Sequence, residues 1–130
     1  MRTIKFRGKE RRTGKWFYGN LYDKDIYGRT HICTTKRGCF DIDPETVGQF
    51  TGLMDKNGAE IYEGDIVKWS NGMLYAVKFL DGMFYASIEE CNEGIFGGFP
   101  LYRLIEYEDG GCEIVGNIHD NTELPKGGEE

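Results

Sequence analysis

Ile66-Val67-Lys68-Trp69-Ser70-Asn71-Gly72-Met73-Leu74-Tyr75-Ala76-Val77-Lys78-Phe79-Leu80-Asp81-Gly82-Met83-Phe84-Tyr85-Ala86-Ser87-Ile88 reads as three strands separated by two turns. β-branched and aromatic side chains crowd this stretch, and such side chains fit a pleated surface. Asn71-Gly72 and Asp81-Gly82 tolerate positive φ and suit two-residue hairpin loops. A register follows: Leu80 opposes Met83, Phe79 opposes Phe84 and Val77 opposes Ala86. One face then collects Ile66, Tyr75, Val77, Phe79, Phe84, Ala86 and Ile88. The other collects Val67, Trp69, Leu74, Leu80, Met83 and Tyr85. A meander apolar on both faces must curl into a barrel or be covered. Gly64-Asp65-Ile66-Val67 leading into such a meander suggests an SH3-like barrel, an analogy at the level of fold.

Upstream, Asp43 to Asp65 carries the strongest turn signals. Pro44 fixes its own φ and steers Asp43 away from the helical region. Val47, Gln49 and Thr51 alternate with Gly48 and Phe50, enough for one strand. Asn57-Gly58 predicts a type I′ turn, and Glu63-Gly64 breaks the chain again. Asp55-x-Asn57 begins like a calcium loop, but Gly58 stands at the fourth position and no Glu at the twelfth. Asp43, Asp55 and Asp65 are therefore read as local turn caps.

These residues also carry a resemblance. Ile42-Asp43-Pro44-Glu45-Thr46-Val47-Gly48-Gln49-Phe50-Thr51-Gly52-Leu53, Asp55-Lys56-Asn57-Gly58 and Ile61-Tyr62-Glu63-Gly64-Asp65-Ile66-Val67 resemble the signature of the YopX family. Ile4-Lys5-Phe6-Arg7-Gly8-Lys9, Trp16-x-Tyr18-Gly19 and Val115-Gly116-Asn117-Ile118 with Asp120-Asn121 are similar to it as well. Thr122 and Pro125 depart from the pattern. The resemblance implies a small, mainly β protein of phage or prophage, without an assigned activity. It implies no catalytic residues.

The chain before this stretch alternates too. Thr3, Lys5 and Arg7 alternate with Ile4 and Phe6 as a first strand. Lys15 to Tyr22 is a second, with Trp16, Tyr18 and Asn20 on one face and Phe17, Gly19 and Leu21 on the other. Arg29–Thr34 and Cys39–Ile42 form a further hairpin. After the meander, Glu89 to Pro100 reads as an irregular loop. Leu101, Leu104 and Ile105 fit a helical step, with Pro100 at the first helical position. Glu108 to Gly111 is a turn, and Cys112 to Ile118 a last strand with Ile114, Gly116 and Ile118 on one face. The expected fold is all-β and mainly antiparallel, with at most one short helix near 100–106. It divides into an N-terminal β unit at 1–42, a turn-rich connection at 43–65, an SH3-like β unit at 66–125 and a disordered tail at 126–130. Together they pack as one compact domain.

Composition bounds the function. The 130 residues hold no apolar run long enough to span a membrane and no apolar signal core at Met1-Arg2-Thr3-Ile4-Lys5. Cys33, Cys39, Cys91 and Cys112 follow no familiar disulfide or zinc spacing, so reduced thiols and the cytoplasm of a bacterial host are expected. His31 and Cys33 share a strand face, and Cys39 can lie opposite. A zinc site or a Cys–His nucleophile is geometrically conceivable there, but no partner carboxylate is evident in the sequence. Neither a nucleotide-binding glycine motif nor a Gly-x-Ser-x-Gly elbow occurs. With only two histidines for proton transfer near neutral pH, the expectation is no enzyme, no metal and no cofactor.

Charge is uneven. Residues 1–16 hold seven bases and one acid, a net +6, while the remaining 114 carry −12. Arg2, Lys5, Arg7, Lys9, Arg11, Arg12 and Lys15, interleaved with Trp16, are candidates for nucleic-acid contact. Against this, an acidic body repels a polyanion. The leading expectation is a non-enzymatic protein acting through protein contacts or self-assembly, with itself or a phage or host protein as partner. Trp69, Leu74, Met83, Tyr85, Phe96 and Phe99 are the candidate contact surface, and a nucleic-acid-binding regulator is the alternative.

Overall fold

Short antiparallel strands follow one another along most of the described residues. The computed structural model describes residues 1–88, 98–106 and 111–121. The chain divides into two compact units, Met1–Gly52 and Leu53–Glu130. The turn at Glu108 to Gly111 (apart from Gly111), the loop residues Ile95 and Phe96, and the tail at 126–130 lie outside the described residues.

In the first unit, β1 (Phe6–Lys9), β2 (Trp16–Tyr22), β3 (Thr30–Thr34) and β4 (Gly38–Ile42) form two successive hairpins. A 3-10 turn at Pro44–Thr46 leads to β5 (Gly48–Met54), which pairs back onto β1. Asp43 begins that turn by accepting a hydrogen bond from the Glu45 N–H at 3.1 Å. Thr46 Oγ1 accepts from the Lys9 N–H at 2.8 Å and ties the turn to β1. A bridge between Glu10 and Ile42 brings the end of β4 back to the end of β1. Ile32 and Ile42 are fully buried on the inner side, where the Phe17 and Phe40 rings stack 3.8 Å apart. Two glycines permit this closeness. A Cβ on Gly8 would lie 2.4 Å from the Ile42 side chain, and one on Gly19 would lie 2.4 Å from the Cys33 carbonyl oxygen.

β6 (Glu60–Tyr62) follows, and the order of the first sheet is β4-β3-β2-β1-β5-β6. The second sheet contains β7 (Asp65–Trp69), β8 (Leu74–Leu80), β9 (Met83–Ser87), β10 (Gly98–Pro100) and β11 (Cys112–Asn117), in the order β10-β9-β8-β7-β11. Among the described residues β10 and β11 do not pair, so the sheet is open there. The expected helix is present as α1 (Tyr102–Glu106), but Pro100 ends β10 instead of opening the helix. The stretch expected to be wholly irregular before Pro100 therefore contains a strand that pairs with β9.

The meander departs from expectation at one of its turns. Asp81 and Gly82 both have positive φ, and Leu80 faces Met83 as a two-residue loop requires. At the other turn the Trp69 N–H donates to the Met73 carbonyl, and Gly72 alone has positive φ. That is a three-residue loop with a glycine bulge. Lys68 opposes Leu74, Val67 opposes Tyr75 and Ile66 opposes Ala76. A slip of one residue exchanges the faces of a strand. Val67 and Trp69 therefore lie with Tyr75, Val77 and Ala86, and Ile66 lies with Leu74 and Ala76. Asn57-Gly58 behaves in the same way: only Gly58 has positive φ, so the loop is not the expected type I′ turn. A bulge between Ile114 and Gly116 likewise breaks the face expected for β11.

The core of the second unit is Ile61, Val67, Tyr75, Val77, Ala86, Leu101, Leu104 and Cys112. Each large apolar side chain buried in this way contributes about 1.5–3 kcal/mol. α1 delivers Leu104 to the cluster, and Leu101 precedes it directly.

Candidate binding face of the first unit

Strand alternation sorts β1–β4 into an inner and an outer face. On the outer face Lys9 opposes Trp16 and Arg7 opposes Tyr18. Asn20 opposes Cys33 and Tyr22 opposes His31. Cys33 opposes Cys39 and His31 opposes Asp41. Trp16, Tyr18, Asn20 and Tyr22 thus form one row, as the alternation predicts.

The basic arm is divided by this arrangement. Arg7 is only 5% exposed, with its guanidinium 4.7 Å from the centre of the Trp16 ring. Lys9 stands 5.8 Å from the same ring, and Lys5 lies 5.4 Å from Phe50. These cation–π contacts take Arg7 and much of Trp16 out of reach of a ligand. Arg2, Arg12 and Lys15 are exposed, as is Arg11, whose Nε lies 3.4 Å from an Asp41 carboxylate oxygen. What remains open on the row is Asn20 and the rings of Tyr18, 49% exposed, and Tyr22, 56% exposed. The two rings start about 13 Å apart along the strand at ~3.3 Å per residue.

Further bases frame that open segment. Because Asn20 opposes Cys33, the β3–β4 turn carrying Lys36 and Arg37 lies at the Tyr18 end of the row. Lys24 and Arg29 belong to the loop that follows Tyr22. These four were not singled out in the sequence, where they are scattered; the hairpin ladder brings Lys36 and Arg37 to one end of the row and Lys24 and Arg29 to the other.

The loop from Asp23 to Arg29 is stiffened from within. Asp25 Oδ1 accepts from the Tyr27 N–H at 2.8 Å and the Arg29 N–H at 3.0 Å. Asp25 Oδ2 lies 2.9 Å from His31 Nε2. The Arg29 backbone N–H and then His31 hold the Asp25 carboxyl down at about 2. Here is the carboxylate beside His31 that sequence spacing did not reveal. On the inner side a cleft of about 340 Å³ opens between Leu21, Thr30, Pro44 and Val47. Its polar groups are partly occupied with each other, since the Thr30 hydroxyl donates to Asp23.

Cys33 and Cys39 are joined by a disulfide, which corrects the expectation of reduced thiols. Residues directly opposed on a ladder hold their Cβ atoms close enough for that bond. Cys112 is a buried free thiol. While that bond is intact, Cys33 is neither an available nucleophile nor a thiolate ligand. Among the described residues no group of three His, Cys, Asp or Glu side chains is arranged to hold a metal.

The expected contact surface of the meander is dispersed. Leu74 is only 2% exposed, because the one-residue slip placed it beside Ile66 and Ala76. Trp69 and Phe99 pack on the core, their rings 5.9 Å apart. Phe96 lies outside the described residues. Tyr85 is half-buried and Met83 exposed. The exposed apolar groups are instead Phe79, Leu80 and Met83, at the tip of the β8–β9 hairpin.

No helix among the described residues is long and apolar enough to cross a membrane. No curated protein matches the chain. Among solved structures it is similar to the crystal structure of protein EF1440 from Enterococcus faecalis, with a TM-score of 0.62 and 23% identity. The alignment covers 95% of this chain and 99% of that one, and the likeness is one of fold. The family described as YopX protein matches residues 5–126, from β1 past the end of β11. That span includes the outer-face row and both units, and on it the chain belongs to the YopX family.

Proposed function

We propose that the protein is a non-catalytic binding protein whose first unit holds a single-stranded nucleic acid across the outer face of β1–β4. One observation carries this reading: the two exposed rings Tyr18 and Tyr22 lie in one row, framed by bases, on a unit of opposite charge to its neighbour. Residues 1–52 contain eleven Lys and Arg against six Asp and Glu, a net +5. Residues 53–130 contain five against sixteen, a net −11. Exposed rings accept the faces of unpaired bases, and surrounding cations follow the phosphates. Repulsion from acidic groups elsewhere fades over about 8 Å at physiological salt.

The test is an anisotropy titration of labelled single-stranded DNA, single-stranded RNA and duplex, at low and physiological salt. Single strands bind more tightly than duplex, with affinity falling steeply as salt rises. Replacing Tyr18 and Tyr22 together by Ala weakens binding by about tenfold or more. Absence of binding at low salt would overturn the reading.

Phe79, Leu80 and Met83 favour a second reading, in which the protein works through its own copies or another protein. Apolar groups grouped at an exposed turn are usual at such contacts. Light scattering that gives the monomer mass at every concentration would remove self-assembly. In either reading we place the protein among phage or prophage accessory proteins of bacteria, on the strength of the family resemblance.

A further inference from the structure

We infer that Cys33–Cys39 is a thiol-exchange site, opened by glutathione or a similar small thiol at Cys39, rather than a structural staple. Three features support this. First, the bond adds little constraint. The two residues are six apart and already directly opposed in a ladder of five pairs between β3 and β4. Closing so short a loop removes less freedom from the unfolded chain than closing a long one would, and in the folded state the ladder already holds the two residues together. Second, the bond is accessible. Both side chains lie on the outer face of the first unit, Cys39 exposed and Cys33 half-buried. Third, β4 is the first strand in the order of its sheet, so its hairpin lies at an edge. Attack on a disulfide sulfur requires an in-line approach by a thiolate, and an exposed sulfur permits it.

The step balances without further reactants. A glutathione thiolate bonds to Cys39 Sγ as the Cys39–Cys33 bond breaks, and Cys33 leaves as a thiolate. Cys33 can then attack the mixed disulfide and expel glutathione, restoring the original bond. Alternatively a second glutathione thiolate attacks the glutathione sulfur. That releases oxidised glutathione and leaves both cysteines reduced, having taken up two electrons. The ladder from Thr30–Ile42 to Thr34–Gly38 keeps the two cysteines opposed throughout.

The experiment uses the full chain with Cys91→Ser, so that the readout concerns this pair. The folded protein is equilibrated in glutathione buffers from fully oxidised to fully reduced, quenched with an alkylating reagent and weighed by mass spectrometry. The pair is expected to pass from bonded to doubly alkylated across that range, while circular dichroism stays nearly unchanged and urea unfolding remains a single cooperative transition at a lower midpoint. In the intact pair, exposed briefly to reduced glutathione and quenched with the alkylating reagent, peptide mapping should find glutathione on Cys39 and the alkyl group on Cys33 several times more often than the reverse. A pair that stays bonded in fully reduced glutathione overturns the inference, as does loss of the folded signal on reduction. Glutathione found equally on Cys33 and Cys39 overturns the assignment of Cys39 as the attacked sulfur. None of these readouts depends on nucleic-acid binding.

Discussion

The carboxylate of Asp55 accepts a hydrogen bond from the backbone N–H of Ile114, 59 residues further along the chain, at 3.1 Å. Its other oxygen accepts from the N–H groups of Asn57 and Ala59, each at 2.9 Å. One side chain thus shapes the loop between β5 and β6 and also fastens it to β11 just before the bulge. The local cap expected for Asp55 is present, but it is half of the role.

Asp55→Ala strips three backbone donors of a charged acceptor in a buried place. The loss is expected to be about 3 kcal/mol, the range for hydrogen bonds to charged groups and orphaned buried donors. Urea unfolding measures it. A loss under about 1 kcal/mol would show that water replaces the carboxylate. Asp55→Asn, which keeps one acceptor oxygen, should lie between the two proteins.

Gly19 is required by space rather than by conformation. A Cβ there meets the Cys33 carbonyl oxygen, and backbone cannot move aside as a flexible side chain can. Gly19→Ala should therefore destabilise by roughly 2–3 kcal/mol, the range for overfilling a packed site. Gly14 is the contrast, with φ of +73° and nothing within 4 Å of an added Cβ. Gly14→Ala should cost about 1 kcal/mol, for the left-handed backbone alone. Chemical unfolding of the two variants side by side separates the mechanisms, and equal losses would refute the distinction.

Asp25 makes the 23–29 loop sensitive to acid. Its carboxyl lies at about 2 in the folded protein against an ordinary 3.8. A depressed acid contributes its stabilisation above the unfolded value and loses it as pH falls through the folded one. The loop should stay ordered down to about pH 4 and loosen between there and about pH 2. Amide exchange at Tyr27 and Arg29, whose N–H groups the carboxylate holds, reports this directly. Asp25→Asn should remove the transition.

Cys112 offers an alkaline counterpart. Burial, and then the neighbouring Asp55 carboxylate, push its thiol up to about 11 from an ordinary 9.0. The folded state holds this proton more tightly than the unfolded chain does. Its stabilisation is therefore complete below pH 9 and fades as pH rises towards 11. A thiol reagent at pH 8 should leave Cys112 unmodified in the folded protein and modify it in urea. Rapid labelling of the folded protein would contradict its burial.

The all-β class, the hairpins β1–β2 and β3–β4, the row Trp16, Tyr18, Asn20 and Tyr22, and the register of β8 on β9 follow from the sequence alone. Alternation and a tight Asp81-Gly82 turn are local properties, and local geometry decides them. Tertiary structure decided the rest. Asn71-Gly72 and Asn57-Gly58 look like Asp81-Gly82 in type, yet each forms a longer loop with only its glycine at positive φ. In the β7–β8 hairpin the bulged loop puts Val67 and Trp69, rather than Ile66, with Tyr75 and Val77 on the core face. Which of two loops forms depends on which register buries more apolar surface, a sum over distant residues that no dipeptide carries. The same holds for the candidate face of the first unit. Its rings were legible as a period of two, but the burial of Arg7, the gathering of Lys36 and Arg37, and the Asp25–His31 pair exist only after β1–β4 have paired.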